Sequence, residues 1–232
     1  MSRVLAIPDL QYPFAHKDHM DFLQAVKEEH KPQRVVNMGD ECDMAALSDY
    51  DHDPDGFSAG HELEAAIRCL EGLYKLFPKV QVCVSNHTSR PYRRAFKFGI
   101  PAAFIRSYKE FLNAPKGWEW ADNFEIDGVI YEHGDAPGIS GSMGALKAAL
   151  KNMQSTCIGH LHSYAGIQWS ANAKHLIFGF NTGCLIDKDA YAFKYGKNLK
   201  DKPILGAGII DDGIPVFIPM LLNSRGRWTG RL

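Results

Sequence analysis

The run Gly159-His160-Leu161-His162 closes a series of residues able to bind metal ions. Upstream, in order, stand Asp9, Gly39-Asp40-Glu41-Cys42-Asp43, Asn86-His87 and His133-Gly134. Asp9, Asp40, Asn86, His133 and His160 each follow a short apolar run. Sites in open α/β sheets form where strands end and loops begin, so these placements gather the five side chains at one sheet edge. Their mixture of carboxylate, amide oxygen and imidazole suits two divalent cations held side by side. Such a pair, roughly 3.5–4 Å apart, clamps a phosphate and lowers the pKa of a bridging water. A carboxylate shared between the ions offsets their repulsion. Neutral imidazole and amide ligands complete the shells without repelling an anionic substrate.

The elements that position these residues follow from periodicity. Val4 to Ile7, Arg34 to Met38 and Val80 to Val84 read as buried strands. Between them, His16 to His30 carries Met20, Phe22, Leu23 and Val26 at helical spacing, and Ser58 to Phe77 carries Leu63, Ala66, Ile67, Leu70 and Leu73 on one stripe. This alternation implies parallel strands with helical crossovers. Arg90 to Trp120 reads as a small, mostly helical insertion capping the sheet. Strands are then expected at Phe124–Ile126, Val129–Glu132, Thr156–Ile158, Tyr164–Trp169, His175–Phe180, Gly206–Ile210 and Val216–Ile218, with a helix near Met143–Met153 and a hairpin turn at Gly213. Asn223 to Arg231 reads as a frayed or docked tail. The expected architecture is a single α/β domain over 1–232: a four-layer α/β/β/α sandwich with two central mixed sheets.

Bulk properties narrow the classes. The 232 residues, 45% of them hydrophobic, suffice for one substantial core. A net charge of −1 supplies no global field toward nucleic acid. Five cysteines with no CxxC pair read as reduced thiols. No apolar run approaches the roughly 20 residues that span a bilayer, and Val4 to Ile7 follows the start with no cleavable leader. A soluble cytoplasmic protein without a membrane partner is expected. His16, His19, His30, His52, His61 and His175 match no motif and are expected mostly on the surface or on helix faces. The acidic stretch Asp49–Asp55 reads as a polar loop, Cys42 as a small packing residue. The Gly/Ser-rich Gly138–Gly144 reads equally as a phosphate cradle or a flexible loop.

Taken together, Asp9, Gly39-Asp40-x-x-Asp43, Asn86-His87, His133 and Gly159-His160-x-His162 resemble the calcineurin-like metallophosphoesterase superfamily, in particular phage and bacterial phosphoesterases whose third motif is similar to Asn86-His87-Thr88-Ser89-Arg90. The resemblance implies that Asp40 bridges two metals, that Asp9 and His162 hold the first, and that Asn86, His133 and His160 hold the second. It implies that His87 protonates the leaving group and that Asp43 orients His87. Hydrolysis of a phosphate ester by a metal-bridging hydroxide attacking in line is the implied reaction.

Three positions depart from the family. The first motif is Asp9-Leu10-Gln11, where the family carries Asp-x-His. The Gln11 amide oxygen suits a hard ion such as Mn²⁺ or Mg²⁺, so Mn²⁺ is favoured over Fe, Zn, Ni or Mg and the first site is expected to be weak. Ser85 replaces the glycine before Asn86. Met44 stands where protein Ser/Thr phosphatases carry a phosphate-gripping arginine, which argues against that branch. Arg90, Arg93 and Arg94 are the candidate substitutes, because guanidinium matches phosphate geometry. With Lys97, Arg106, Lys109 and Tyr92 they form a basic stretch that could grip nucleic acid. The expected substrate is therefore a phosphate ester, with a phosphodiester or nucleic acid preferred. The alternatives are a phosphomonoesterase acting on nucleotides or phosphoproteins, and a metal-binding scaffold weakened by Gln11.

Overall fold

The computed structural model describes residues 2–49, 55–191 and 201–232. The chain runs β1 (Arg3–Ile7), α1 (His19–His30), β2 (Arg34–Asn37), α2 (Ala59–Leu76), β3 (Lys79–Cys83), α3 (Arg90–Lys97), α4 (Tyr108–Phe111), β4 (Gly117–Ala121), β5 (Asn123–Ile126), β6 (Val129–Glu132), α5 (Gly144–Asn152), β7 (Thr156–Ile158), β8 (Ala165–Ala171), β9 (Leu176–Thr182), α6 (Lys188–Tyr191), β10 (Gly206–Asp211) and β11 (Ile214–Pro219). One sheet has the order β11-β10-β1-β2-β3-β4 and the other β5-β6-β7-β9-β8. In the first, β1 through β4 are parallel and β10 and β11 antiparallel. In the second, β6, β7 and β9 are parallel, flanked by antiparallel β5 and β8. Both sheets are mixed, as the sequence led one to expect.

Strand alternation sets the layers. Successive side chains of β1 point to opposite faces. Leu5 and Ile7 join a core with Phe22, Leu23 and Val26 of α1 and Ala66, Leu70 and Leu73 of α2. Val4 and Ala6 join a second core with Tyr131, Cys157, Phe178 and Phe180 of the other sheet. A third, smaller core sets Ala145 and Ala148 of α5 against Ile158. The order is thus helices, sheet, sheet, helix. Burying each large apolar side chain contributes roughly 1.5–3 kcal/mol, so both faces of both sheets must be covered for the carboxyl ends of the strands to be held still.

Local sequence explains the element ends. The Ser58 hydroxyl accepts from His61 N–H to cap α2. Pro91 sits in the first turn of α3, where its missing N–H costs nothing. Asp212 and Gly213 take left-handed φ values of 52° and 77°, the requirement of a two-residue hairpin loop.

The structure departs from expectation at two places. The segment from Arg90 to Trp120 holds short helices but also supplies β4, which pairs with β3 and buries Trp118 completely. His16 is buried rather than on the surface, whereas His19 opens α1, in keeping with a helix-face position. His16 is 4% exposed with its Nε2 on the Gly226 carbonyl at 3.1 Å, and the His19 Nε2 lies 2.6 Å from the Tyr12 hydroxyl. His52 and most of the Asp49–Asp55 loop lie outside the described residues. The tail is docked: the Arg227 guanidinium reaches both Asp18 oxygens, and the Trp228 ring packs edge-on against Phe22 at 5.7 Å. The Arg227 hydrogen bond holds the Asp18 carboxyl down at about 2. All five cysteines are free, and Cys42 packs in the helix-side core. Among the described residues no helix is long and apolar enough to cross a membrane.

Candidate metal centre

The loops leaving the carboxyl ends of β1, β2, β3, β6 and β7 carry Asp9, Asp40, Asn86-His87, His133 and His160 through His162, and the two sheets bring them together. One ligand atom each from Asp9, Asp40 and His162 lies within 4.8 Å of the others, and the same holds for Asp40, His133 and His160. Asp40 belongs to both groups. Asn86 completes the second, with its Oδ1 2.8 Å from His133 Nε2.

Backbone conformation aims these groups. Asp40 has φ 48° and His160 φ 62°, a region few residues other than glycine occupy. Its neighbours hold Asp40 there. Its N–H donates to the Ser85 hydroxyl at 2.9 Å, and its carbonyl accepts from Leu10 N–H at 3.2 Å and Gln11 N–H at 2.7 Å. Strain stored where several loops meet is a feature of functional sites. The Ser85 hydroxyl thus anchors the Asp40 backbone in this conformation.

The histidine tautomers follow from fixed acceptors. His133 Nδ1 faces the Met38 carbonyl at 2.8 Å, and a carbonyl only accepts, so Nδ1 carries the hydrogen. His133 Nε2 faces Asn86 Oδ1 at 2.8 Å and Asp40 Oδ1 at 3.5 Å. Once Nε2 gives up its proton the three atoms are all acceptors, an arrangement that a cation satisfies. Burial alone would raise the Asp40 carboxyl, but His133, His87, the Ser85 hydroxyl and His162 outweigh it and hold Asp40 below the usual carboxylate range. For His133, burial works against the charged ring, yet Asp40 and Asp9 pull it above its ordinary value. Burial and the neighbouring His133 lower His160. The donor set and its geometry therefore fit divalent cations.

Gln11 is 1% exposed and lies at the centre. Its amide nitrogen approaches Asp40 Oδ2 at 3.4 Å.

His87 stands beside this cluster without entering either group. Its Nδ1 lies 2.8 Å from both the Asp43 carbonyl and Asp43 Oδ1, so it donates there and leaves Nε2 toward the donor cluster, 3.8 Å from Asp40 Oδ2. Burial lowers His87, while Asp40 and the Asp43 hydrogen bond raise it, and the net shift is upward.

The arginines divide. Arg90 is buried, with Nη1 donating to the Asp43 carbonyl at 2.6 Å and Nη2 3.3 Å from His87 Nε2. Arg94, one helical turn on, does not face the centre. It donates to the carbonyls of Leu47 and Ser48 and pairs with Asp49 at 2.8 Å. Spaced four residues apart on α3, the two grip the Asp43–Ser48 loop like a pair of braces. Arg93 reaches the Asn86 carbonyl at 2.7 Å from an exposed position. A cavity of about 260 Å³ opens over Asp40, His87, His160 and His162, and Leu161, Ser163, Tyr164 and Asp201 also line it. Sequence reasoning missed these last four. Ser163 and Tyr164 directly follow a ligand motif and could have been found by adjacency, whereas Asp201 carries no local signal. Gly138–Gly144 is not among the residues lining this cavity.

Gly159 shows how tightly the first group is built. A Cβ there would collide with Asp9 Oδ1, the carboxylate that accepts from His160 N–H at 3.0 Å through its other oxygen and meets His162 Nε2 at 2.8 Å. Gly159→Ala is expected to displace Asp9 and lower metal affinity while the chain stays folded. Calorimetric titration with Mn²⁺, alongside circular dichroism, checks this; unaltered binding would show that Asp9 is not a ligand.

No protein-family model matches this chain, and no curated protein does. Among solved structures it is similar to vacuolar protein sorting 29 from Cryptosporidium parvum, at 14% identity over 93% of this chain and 94% of that one, with a TM-score of 0.42. It is similar to YfcE, a phosphoesterase from E. coli, at 14% identity over 98% and 96%, with a TM-score of 0.44. The nuclease MPE of Pseudomonas putida aligns at 10% identity over 93% and 86%, with a TM-score of 0.31. All three scores fall below 0.5, so the functional reading rests on the geometry of the centre.

Proposed function

We propose that this protein is a calcineurin-like metallophosphoesterase, a divalent-metal-dependent hydrolase acting on phosphodiesters. The observation that carries the reading is the pair of donor groups sharing Asp40, with the Asp43-oriented His87 directly beside them. Asp9, Asp40 and His162 would hold one cation, and Asp40, His133 and His160, with Asn86 beside them, would hold the other. When bound, the two ions supply Lewis-acid charge for the phosphate oxygens and lower the pKa of water. His87 holds a proton at Nε2 and delivers it to the departing oxygen, a role worth about 10²–10⁴-fold. Asp43 fixes the ring by accepting from Nδ1, and Arg90 steadies Asp43 through its carbonyl. Ser163 and Tyr164 line the same cavity as His87 and would contact the substrate there. The preference for a diester rests on the basic, exposed segment that starts at the centre.

Turnover of bis-p-nitrophenyl phosphate with Mn²⁺, compared with the monoester p-nitrophenyl phosphate, tests the reading. The diester should be the better substrate, and turnover of the monoester alone would overturn that preference. Turnover of neither, with less than one metal per chain, would favour a scaffold.

The scaffold reading draws on Gln11, which offers an amide where the family offers imidazole. Gln11→His is expected to tighten the weaker of two calorimetrically resolved Mn²⁺ sites by about tenfold or more, since imidazole is a stronger donor to such ions than a neutral amide. Identical isotherms would mean that position 11 does not face a metal.

A further inference from the structure

Three phenylalanines lie bare on one short surface segment. Phe96, Phe98 and Phe104 are 86%, 73% and 78% exposed, with Ile100 at 45% between them. Phe96 lies in the last turn of α3, Phe98 caps that helix, and Phe104 closes a 3-10 turn, Ala102–Phe104, that packs on it. Several exposed large rings close together in one segment mark a contact surface. The segment is also of one sign. From Arg90 to Ser107 it carries five cations and no acid, on a chain whose net charge is −1. Asp49 answers Arg94 and Lys97, at 2.8 and 3.0 Å, and Glu110 neighbours Arg106. Arg90 faces Asp43 at 3.7 Å, while Arg93 donates to the Asn86 carbonyl, a neutral acceptor, and shares Asp49 with Arg94 and Lys97, so five cations meet three acids.

This face is continuous with the metal centre. α3 begins at Arg90, which touches His87 and Asp43. At ~1.5 Å of rise per residue, Phe96 lies about 9 Å farther along the helix axis. Stacked nucleotides spaced about 3.4 Å apart cover that distance in roughly three steps.

We propose that this face is a stacking platform for single-stranded nucleic acid, which it feeds to the metal centre. The proposal rests on the phosphodiesterase reading and names its substrate class. Exposed rings offer π faces on which any base stacks, while nearby cations track the backbone. A duplex keeps its base faces hidden, so a single strand fits the rings. A second copy of this chain would set two positively charged faces against each other, which opposes pairing by the same rings.

Fluorescence anisotropy of a labelled oligothymidylate about 12 nucleotides long, within the common range of site sizes, tests this with the full chain in EDTA. Wild type should bind, more weakly as salt rises. Replacing Phe96, Phe98 and Phe104 together by alanine should weaken binding at least about tenfold, and replacing all three by tryptophan should retain it. Both triple variants should hydrolyse bis-p-nitrophenyl phosphate at the wild-type rate, because none of these rings belongs to the centre. Equal affinity of the alanine variant, or no binding by wild type at low salt, overturns the proposal. So does a wild-type dimer in light scattering that the alanine variant loses, or ring-dependent binding only to phosphatidylcholine–phosphatidylserine vesicles. If the oligonucleotide binds through the rings while wild type hydrolyses neither chromogenic ester, the phosphoesterase reading fails and the platform stands.

Discussion

Asp40→Ala is expected to lose metal and turnover together. The Asp40 carboxylate is common to both donor groups and 1% exposed, and its Oδ1 also accepts from His87 N–H at 3.1 Å. Its removal takes a ligand from each ion and an anchor from the proton donor at once. Losing a merely supporting partner of a metal site costs about 10–100-fold in affinity, so losing the shared ligand should cost more. Asp40→Asn separates charge from shape. It keeps an acceptor of the same size but not the negative charge that offsets two cations, and it should fail nearly as badly. Metal per chain by plasma emission after Mn²⁺ loading, with rates on the diester, measures both effects. Retention of two ions by either variant would remove the bridging assignment.

His87→Ala has the second largest expected effect and the opposite signature. His87 supplies no atom to either donor group, so metal content should stay at the wild-type level while kcat falls by about 10²–10⁴-fold with little change in KM. Asp43→Ala should cost less. The His87 Nδ1 has two acceptors on Asp43, the carboxylate and the backbone carbonyl, each at 2.8 Å, and only the first is deleted. Metal loss in His87→Ala would instead make His87 a ligand. A full wild-type rate would leave proton delivery to solvent.

Much of the centre was legible because its signals are local. An apolar run with Asp, Asn or His two positions past its last apolar residue marks a strand end bearing a polar group, and Asp9, Asp40, Asn86, His133 and His160 all follow that rule. The four layers were legible because β1 alternates only in which core it serves, while the stripe of α2 has one apolar face. β4 was hidden: Gly117-Trp118-Glu119-Trp120 does alternate, but it is short and follows Pro115, so it reads as the end of the mostly helical insertion. The directions of the arginines were hidden for another reason. Arg90 and Arg94 serve carbonyls of a loop more than 40 positions earlier, and nothing in either segment announces the partner. Asp201 reaches the cavity only through tertiary folding. The bare phenylalanines were invisible because a sequence shows an apolar residue but not whether anything covers it.

The pairing of β1 bears on how the chain is made. Arg3 and Asp211, joined across β1 and β10, stand 208 positions apart. β2 can dock on one side of β1 as soon as it is made, long before β10 is made. Until then the other flank of β1 is an open hydrogen-bonding edge, the kind of surface that recruits foreign strands. Slow elongation between β2 and β10 should therefore lower the soluble yield, and a chaperone that shields nascent strands should restore it.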